Sequence, residues 1–249
     1  MTTSEALRDL ASVRWGAGVS DGRFRVVESV IDAPRVEHLR EESERWPSGG
    51  DWITADVSLA GDGSRRTLEL PALPPAPESV EPSHRFVTMA PLEPGTCLEE
   101  LVLAFGDFVA DHPNSRLYVI GEGSLEADLR RWTGSPELGR RVCFTGPLRN
   151  PLAVLRHCDC FVLASSFAGF PATIPDVRLL GLPLILGRFP TAGAVSEEGG
   201  QLTVEPTRAG LRGGLEAFVR GEVPPGRRPD IDAHNQRALR HFEELVASL

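Results

Sequence analysis

Five short segments that contain glycine follow apolar runs beyond residue 84, and their composition suits the binding of an anionic ligand. Glycine has no side chain, so a ligand can approach the neighbouring backbone N–H groups closely. The alternative is that each glycine only completes a tight turn between a strand and a helix, and for a single glycine that alternative is favoured. The segments are 90–96, 121–123, 146–148, 165–171 and the chain from Gly187 onward.

Other chemistries have weaker support in the sequence. The segment Gly121-Glu122-Gly123 lacks the third glycine of a dinucleotide-binding fingerprint. Ser165 and Ser166 lack the glycine-flanked elbow of a hydrolase nucleophile. Cys158 and Cys160 have no second close pair, so we expect buried free thiols and no metal site. We therefore assign no catalytic residue and no metal ligand.

The elements that must position these segments begin at His84, where apolar runs start to alternate with amphipathic stretches. Near-continuous apolar strands separated by helices predict a parallel sheet that is covered on both faces. Because ligands bind outside the carboxyl ends of such strands, the five segments should meet at one edge. Strands are predicted over 85–89, 116–120, 141–145, 159–164, 183–186 and 201–204, and helices over 99–111, 125–132, 151–157, 176–180, 209–219 and 232–247.

Residues 1–82 have a different character and are expected to form a small, irregular α+β unit. The sequence predicts a helix over 4–13, a strand over 24–31 and an amphipathic stretch over 33–46. Two strands, 52–59 and 66–70, flank a glycine turn and predict a β-hairpin. Five prolines between 71 and 82 predict an extended linker. The predicted domains are therefore 1–82 and 83–249.

The charge of the chain excludes several classes of partner. The 249 residues include 35 acidic and 26 basic side chains, for a net charge of −9, and every basic residue is Arg. This balance argues against binding to nucleic acid or anionic membranes. No apolar run is long enough to span a bilayer, and the first residues do not form a signal peptide, so we expect a cytoplasmic protein.

Taken in order, the segments beyond residue 85 resemble the C-terminal, donor-binding domain of family 4 (group 1) glycosyltransferases of the GT-B fold. The resemblance covers about 85–247 and implies a Rossmann-like domain with helices on both faces of its sheet. Within this family the sequence is most similar to the transferase domain of actinobacterial CDP-glycerol glycerophosphotransferase-type proteins. The matching pieces are 86–92, 98–105, 112–123, 141–146, 158–163, 169–171 and 181–183, with 159–162, 221–225 and the closing helix for the narrower group.

The resemblance implies a nucleotide-activated sugar donor lying across the strand ends, with no metal or other cofactor. The turn that ends at Gly146 is intact, so Pro147 and Leu148 would border the base. The segment Gly169-Phe170-Pro171 is intact as well, and its backbone would face the sugar and the phosphates. In the family the acceptor is held by a separate N-terminal Rossmann domain, for which residues 1–82 give no match.

Several polar positions of the family are changed in this chain. The ribose-binding glutamate falls on Asp176, a shorter carboxylate that could reach its ligand through water. The sugar-contacting glutamate falls on Ala168. The two cations of the first loop, an arginine and a lysine, fall on Pro91 and Thr96. Arg188, after a later strand, could supply a cation or be an exposed loop arginine.

A proline lies in the helix expected to carry Asp176. Pro175 is tolerated only near a helix start, so that helix should begin close to it, with Thr173 as a candidate N-cap.

Three functions follow from these observations. The first is a degenerate donor-binding domain that binds nucleotide-sugar weakly or serves as an interaction module with a protein partner or a second copy. The second is a working glycosyltransferase whose acceptor domain lies on a partner chain. The third is an unrelated small-molecule binder on a Rossmann-like sheet.

Overall fold

The computed structural model describes residues 52–58, 65–71, 84–148, 151–165, 173–189, 200–228 and 230–247, the first two ranges by their backbone. The predicted helix over 4–13, the strand over 24–31, the amphipathic stretch over 33–46 and the glycine turn at 61–63 lie outside these residues. So does nearly all of the proline-rich linker.

Two antiparallel strands confirm the predicted hairpin. Strand β1 (Trp52–Ser58) pairs with β2 (Arg65–Pro71), with Trp52 opposite Pro71 and Ser58 opposite Arg65. Together they form a sheet separate from the larger one.

Six parallel strands form the main sheet, as the sequence predicts. They are β3 (Arg85–Met89), β4 (Arg116–Ile120), β5 (Val142–Gly146), β6 (Cys160–Leu163), β7 (Leu184–Gly187) and β8 (Gln201–Val204). Their spatial order is β5-β4-β3-β6-β7-β8, and every neighbouring pair is parallel. The chain thus winds outward from β3 to β5, returns to β6, and winds outward on the other side. In sheets of this order the ligand crevice lies where the winding reverses, between β3 and β6.

Helices cover both faces of the sheet and bury its alternating side chains. Successive residues of a strand point to opposite faces, so Phe86 packs in one core and Val87 in the other. The described helices are α1 (Leu98–Asp111), α2 (Glu126–Trp132), α3 (Pro136–Gly139), α4 (Leu152–Leu155), α5 (Ile174–Leu180), α6 (Arg208–Val219) and α7 (Ile231–Ala247). The first core lies under α1, α2 and α6, and the second under α4 and α5.

Helix boundaries differ from the predictions in two informative places. The single turn α3 was not expected; the Ser135 side chain caps it by accepting a hydrogen bond from the Leu138 N–H at 3.2 Å. Helix α5 begins near Pro175, as expected, and Thr173 stands at its N-cap. The Thr173 hydroxyl makes no cap bond, and its backbone is helical, whereas an N-cap residue that caps with its side chain typically has an extended backbone.

The four cysteines are free thiols, but they are not all buried. Cys158 and Cys160 are buried as expected, and burial raises the pKa of both. Cys97 and Cys143 are half-buried. Among the described residues, no three metal-binding side chains cluster, and no helix has the length and apolarity to cross a membrane.

Candidate functional site

The described walls of the crevice are the loops that follow β3, β4 and β5, together with the start of the loop after β6. The loop after β3 runs through 90–97, and the loop after β4 through 121–125. After β6 the structure describes Ala164 and Ser165 and resumes at Thr173. All these loops lie at the carboxyl edge, because the strands are parallel.

Hydrogen bonds fasten the loops after β3 and β4 to each other. The Ala90 N–H donates to the Ile120 carbonyl at 3.1 Å, and the Leu92 N–H donates to the Glu122 carbonyl at 2.9 Å. The Leu125 N–H returns a bond to the Leu92 carbonyl at 2.8 Å. The pairing of the two strands therefore continues beyond their ends and fixes this wall of the crevice.

The glycines of the segment 121–123 are required by this close approach. Gly121 has a φ of 140°, and Gly123 a φ of 157°, both in the range that favours glycine. A Cβ on Gly123 would lie 2.4 Å from the Leu92 carbonyl oxygen. For these two glycines, the packing of two loops accounts for the residue type without a ligand.

A tight turn shapes the loop after β3. Pro94 and Gly95, which has a φ of 90°, form its centre, and the Thr96 N–H bonds back to the Glu93 carbonyl at 3.3 Å. The Thr96 hydroxyl donates to the same carbonyl at 2.6 Å. Thr96 is predicted at the donor site, but its hydroxyl already donates a hydrogen bond within its own turn.

The Glu93 carboxylate reaches across to the next loop. It accepts hydrogen bonds from the Ser124 hydroxyl at 2.5 Å and from the Ser124 N–H at 2.9 Å. These two bonds hold the pKa of Glu93 below its usual value. The sequence does not mark this contact, since the two residues are 31 positions apart.

The backbone around Gly146 is open on one side. Gly146 has a φ of 71°, and no heavy atom lies within 4 Å of the position that its Cβ would take. Its carbonyl accepts hydrogen bonds from the Gly121 N–H at 3.1 Å and from the Thr145 hydroxyl at 2.9 Å. Pro147 and Leu148 follow and are half-buried. A ligand could therefore approach this backbone from the crevice.

The structure describes only the backbone of Asp176 and none of the other remaining predicted site residues. Asp176 lies in the first turn of α5, at the carboxyl side of β6; its side chain is outside the described residues. Gly169, Phe170 and Pro171, like Ala168, also lie outside them. The topology therefore brings Thr96, Gly146, Pro147 and Leu148 to one edge together with the start of α5.

Arg188, the candidate replacement cation, is already paired. Its Nε lies 2.6 Å from a carboxylate oxygen of Glu205, and its N–H donates to the Val204 carbonyl at 2.7 Å. Its side chain is 66% exposed, so this contact holds it at the surface between β7 and β8. The pairing with Glu205 was not apparent from the sequence.

A second arginine at this edge, Arg208, is also paired with a carboxylate. The Arg208 side chain, at the start of α6, makes two hydrogen bonds of 2.6 Å to Asp107. The Arg208 N–H donates to a Glu100 carboxylate oxygen at 2.8 Å. Arg208 therefore joins α6 to α1.

A parallel sheet in this order, with glycine-bearing loops at the point where the winding reverses, defines a Rossmann-like α/β domain of the doubly wound class. The comparisons with known proteins name the family within that class. The family described as "Glycosyl transferases group 1" matches residues 73–219, more than half of the chain, and the chain belongs to it.

Two curated proteins match shorter stretches. The uncharacterized glycosyltransferase MJ1059 of Methanocaldococcus jannaschii is 32% identical over 85 residues, which are 34% of this chain and 21% of that protein. The Vi polysaccharide biosynthesis protein VipC/TviE of Salmonella typhi is 26% identical over 78 residues, 31% of this chain and 14% of that protein. The chain thus spans about a fifth or less of the length of these relatives.

Solved structures of the GT-B type share the fold. The crystal structure of Anabaena Alr3699/HepE in complex with UDP and glucose matches with a TM-score of 0.65 and 15% identity, over 100% of this chain and 62% of that one. Sucrose-phosphate synthase from Thermosynechococcus elongatus matches with a TM-score of 0.63 and 16% identity, over 100% of this chain and 58% of that one. At 15% and 16% identity, these matches show that the chain shares the fold of the two proteins, and they show only that.

Proposed function

We propose that this chain is a cytoplasmic, degenerate donor-binding domain of a group 1 glycosyltransferase, which binds a nucleotide-activated sugar weakly and transfers little or none of it alone. The observation that carries the proposal is the crevice between β3 and β6, whose first loop offers Pro91 and Thr96 instead of cations. The Thr96 hydroxyl donates to the backbone of its own loop.

The expected loss of activity follows from the chemistry of the leaving group. Release of a nucleoside diphosphate develops negative charge, and removing one positioned partner of that charge costs roughly 3–4 kcal/mol, or about 10²–10³ in rate. In this chain the two positions that are cationic in the family hold Pro91 and Thr96, and the position of the sugar-contacting glutamate holds Ala168. Arg188 does not readily replace them, because Glu205 pairs with it at 2.6 Å.

The proposal is tested by titrating the purified chain with UDP, GDP, CDP and ADP, their sugars and CDP-glycerol, by calorimetry and thermal shift. CDP-glycerol is included because of the narrower resemblance noted in the sequence. We expect one nucleotide to bind with a Kd near 100 μM or weaker, and Asp176→Ala to weaken it. At about 1 mM ligand, a Kd of about 100 μM stabilises the fold by about 1.4 kcal/mol.

The matched control is Glu222→Ala, an exposed carboxylate just beyond the carboxyl-terminal end of α6. This variant should bind nucleotides like the unchanged chain. If no nucleotide shifts the melting temperature while another small molecule does, the domain is a small-molecule binder of a different kind.

A second candidate is a working glycosyltransferase whose acceptor domain lies on a partner chain. It is favoured by the fact that this chain covers 21% of the length of its glycosyltransferase relative, which leaves most of that protein unmatched. Sugar transfer that appears only when a second protein is added would support this candidate over the inactive domain.

A further inference from the structure

The segment that follows α6 is fastened to the end of α5. We call residues 223–228, between α6 and α7, the strap. Gly226, in the strap, lies so close to Gly181 that a Cβ on it would stand 2.3 Å from the Gly181 carbonyl carbon and oxygen. The same Cβ would stand 2.3 Å from the Leu182 carbonyl oxygen. All three atoms belong to the backbone, so no side-chain movement makes room for a larger residue.

A second residue of the strap covers the last turn of α5. The Arg228 side chain lies across Gly181: a Cβ on that glycine would stand 3.2 Å from Cγ and from Nε of Arg228. The Arg228 guanidinium also donates to the Leu180 carbonyl at 3.4 Å. Carbonyls in the last turn of a helix have no partner within the helix, so this donor satisfies one of them. The strap thus closes the carboxyl-terminal end of α5.

The strap itself is held in place by other parts of the domain. Val223 is buried and packs in the first core. Farther along the strap, the Pro225 carbonyl oxygen and the Arg227 nitrogen would each lie 3.1 Å from a Cβ on Gly200, just before β8. The core and the start of β8 therefore fix the strap, and the strap can serve as an anchor for α5.

Helix α5 depends on such contacts because it is short. It has seven residues, about two turns, and a helix of that length is not stable by itself in water. Ile174 and Val177 are buried in the second core. Arg178, also buried, donates to the Gln201 side chain at 3.4 Å. The direction of α5 is therefore set by tertiary contacts, and those of the strap hold its last turn.

Helix α5 begins beside the crevice and ends toward the opposite edge of the sheet. It follows β6, one of the two strands between which the winding reverses, and it leads into β7. Seven residues of helix span about 10 Å, so the strap contacts α5 at about that distance from its start. Because a short helix is rigid, a shift of its last turn also moves its first turn, which contains Asp176.

We infer that the strap is a positioning element of the candidate nucleotide site: Gly226 holds the end of α5, so that the start of this helix keeps its place at the crevice. This inference rests on the proposed function and adds to it a residue that touches no ligand. A binding site needs its groups within about 0.5 Å of their productive positions, and the residues behind them provide that precision.

The test is Gly226→Ala in the full chain, with hydrogen exchange and calorimetry as the two measurements. The added methyl group meets backbone atoms, so either the strap or the end of α5 has to move. We expect the amides of α5 to exchange about tenfold faster or more. The nucleotide that binds the unchanged chain, among UDP, GDP, CDP and ADP, should bind the variant about threefold more weakly or worse.

Gly221→Ala is the matched control. Gly221 lies two residues before the strap, its φ of 71° is positive, and no heavy atom lies within 4 Å of its Cβ position. Alanine there strains the backbone but adds no contact with α5. If weaker nucleotide binding reflected lower stability alone, this variant would show it as well. We expect Gly221→Ala to keep the exchange of α5 and the nucleotide affinity of the unchanged chain.

Arg228 provides a milder variant in case Gly226→Ala does not fold. Arg228→Ala removes the side chain that lies across Gly181 and the donor to the Leu180 carbonyl. We expect faster exchange at the end of α5 and nucleotide binding that is about twofold weaker. Arg228→Lys keeps an aliphatic stem and an N–H donor, so it should restore both.

Each outcome decides the inference. Faster exchange of α5 together with weaker nucleotide binding, both absent from Gly221→Ala, supports it. A folded Gly226→Ala chain that keeps either property, or the same changes in Gly221→Ala, overturns the inference and leaves the proposed function standing. If no nucleotide binds the unchanged chain, the proposed function and the inference both fall. If Gly226→Ala does not fold, the same criteria apply to Arg228→Ala and to its rescue by lysine.

Discussion

Gly121 lies so close to Ala90 that a Cβ on it would stand 2.1 Å from the Ala90 carbonyl oxygen. That carbonyl belongs to the loop after β3, and Gly121 belongs to the loop after β4. Because backbone occupies the space, no side-chain movement can relieve the contact. The geometry of the crevice wall thus depends on the absence of one methyl group.

Gly121→Ala should therefore unfold at clearly lower denaturant concentration than the unchanged chain. Gly146→Ala is the matched control, since its φ of 71° is also positive but its Cβ position is empty. We expect Gly146→Ala to cost about 1 kcal/mol, for the backbone conformation alone, and Gly121→Ala to cost more. Equal losses in urea unfolding would contradict the packing argument.

Two adjacent glycines in α6 should respond to alanine with opposite signs. A Cβ on Gly213 meets no heavy atom within 4 Å, whereas one on Gly214 would lie 2.8 Å from Cγ2 of Ile185. Gly213→Ala should stabilise the domain by up to about 1 kcal/mol, because alanine favours the helix. Gly214→Ala should destabilise it by about 1–3 kcal/mol, because it overpacks the contact with β7. Thermal melts followed by circular dichroism measure both, and a loss in the Gly213 variant would count against this account.

The core of the sheet contains a hydroxyl that makes no hydrogen bond to the part of the chain that the structure describes. Thr88 on β3 is 0% exposed, and its Oγ1 finds no partner among the described residues. Thr88→Val has nearly the same shape and removes the buried polar group, so we expect a gain of about 1 kcal/mol in the free energy of unfolding. Thr145→Val is the control: this buried hydroxyl donates to the Gly146 carbonyl at 2.9 Å, and its removal should lower stability. A Thr88→Val chain that is less stable would imply a partner for that hydroxyl.

His84 should make the domain less stable at mildly acidic pH. Burial lowers its pKa, nearby Asp159 raises it and nearby His112 lowers it, with a net shift below 6.5. Between the lowered folded pKa and the unfolded value, the unfolded chain binds more protons, so stability falls as pH falls through 6.5.

His84→Phe tests that pH dependence. Phenylalanine can keep the stacked contact with Phe86, whose ring centroid lies 6.4 Å away, and it cannot take up a proton. The loss of stability between about pH 7 and about pH 5 should become smaller, though not vanish. His157, whose pKa burial also lowers, still contributes to it. Urea unfolding measures that loss. If the His84→Phe chain loses as much stability over this pH range as the unchanged chain, His84 is not a source of the pH dependence.

The local sequence pattern was sufficient to predict where most strands of the main sheet begin and end. The strands Arg85–Met89, Arg116–Ile120 and Gln201–Val204 have the predicted bounds, and the other strands of the main sheet begin and end within one residue of theirs. An apolar run bounded by turn residues is a local signal, and burial on both faces requires such a run. Helix α3 escaped prediction because four residues make one turn, which is too short for a periodic pattern.

The candidate site was predicted in outline but not in its contacts. The strand pattern predicts that the segments of Thr96 and Gly146 lie at one edge of the sheet, and the parallel topology has both of them there. The roles of Asp176 and of Gly169-Phe170-Pro171 stay predictions. Spacing could not show that Thr96 bonds within its own turn, because that depends on how the loop closes.

By itself, the sequence determined the class of sheet, the family to which the chain belongs and the absence of any Lys. Tertiary structure decided which charges and N–H groups at the crevice are already used: Arg188 by Glu205, and the Ser124 N–H by Glu93. The division has a physical reason. Strands and helices follow from local periodicity, whereas a hydrogen bond or ion pair across tens of residues depends on where folding brings two side chains together.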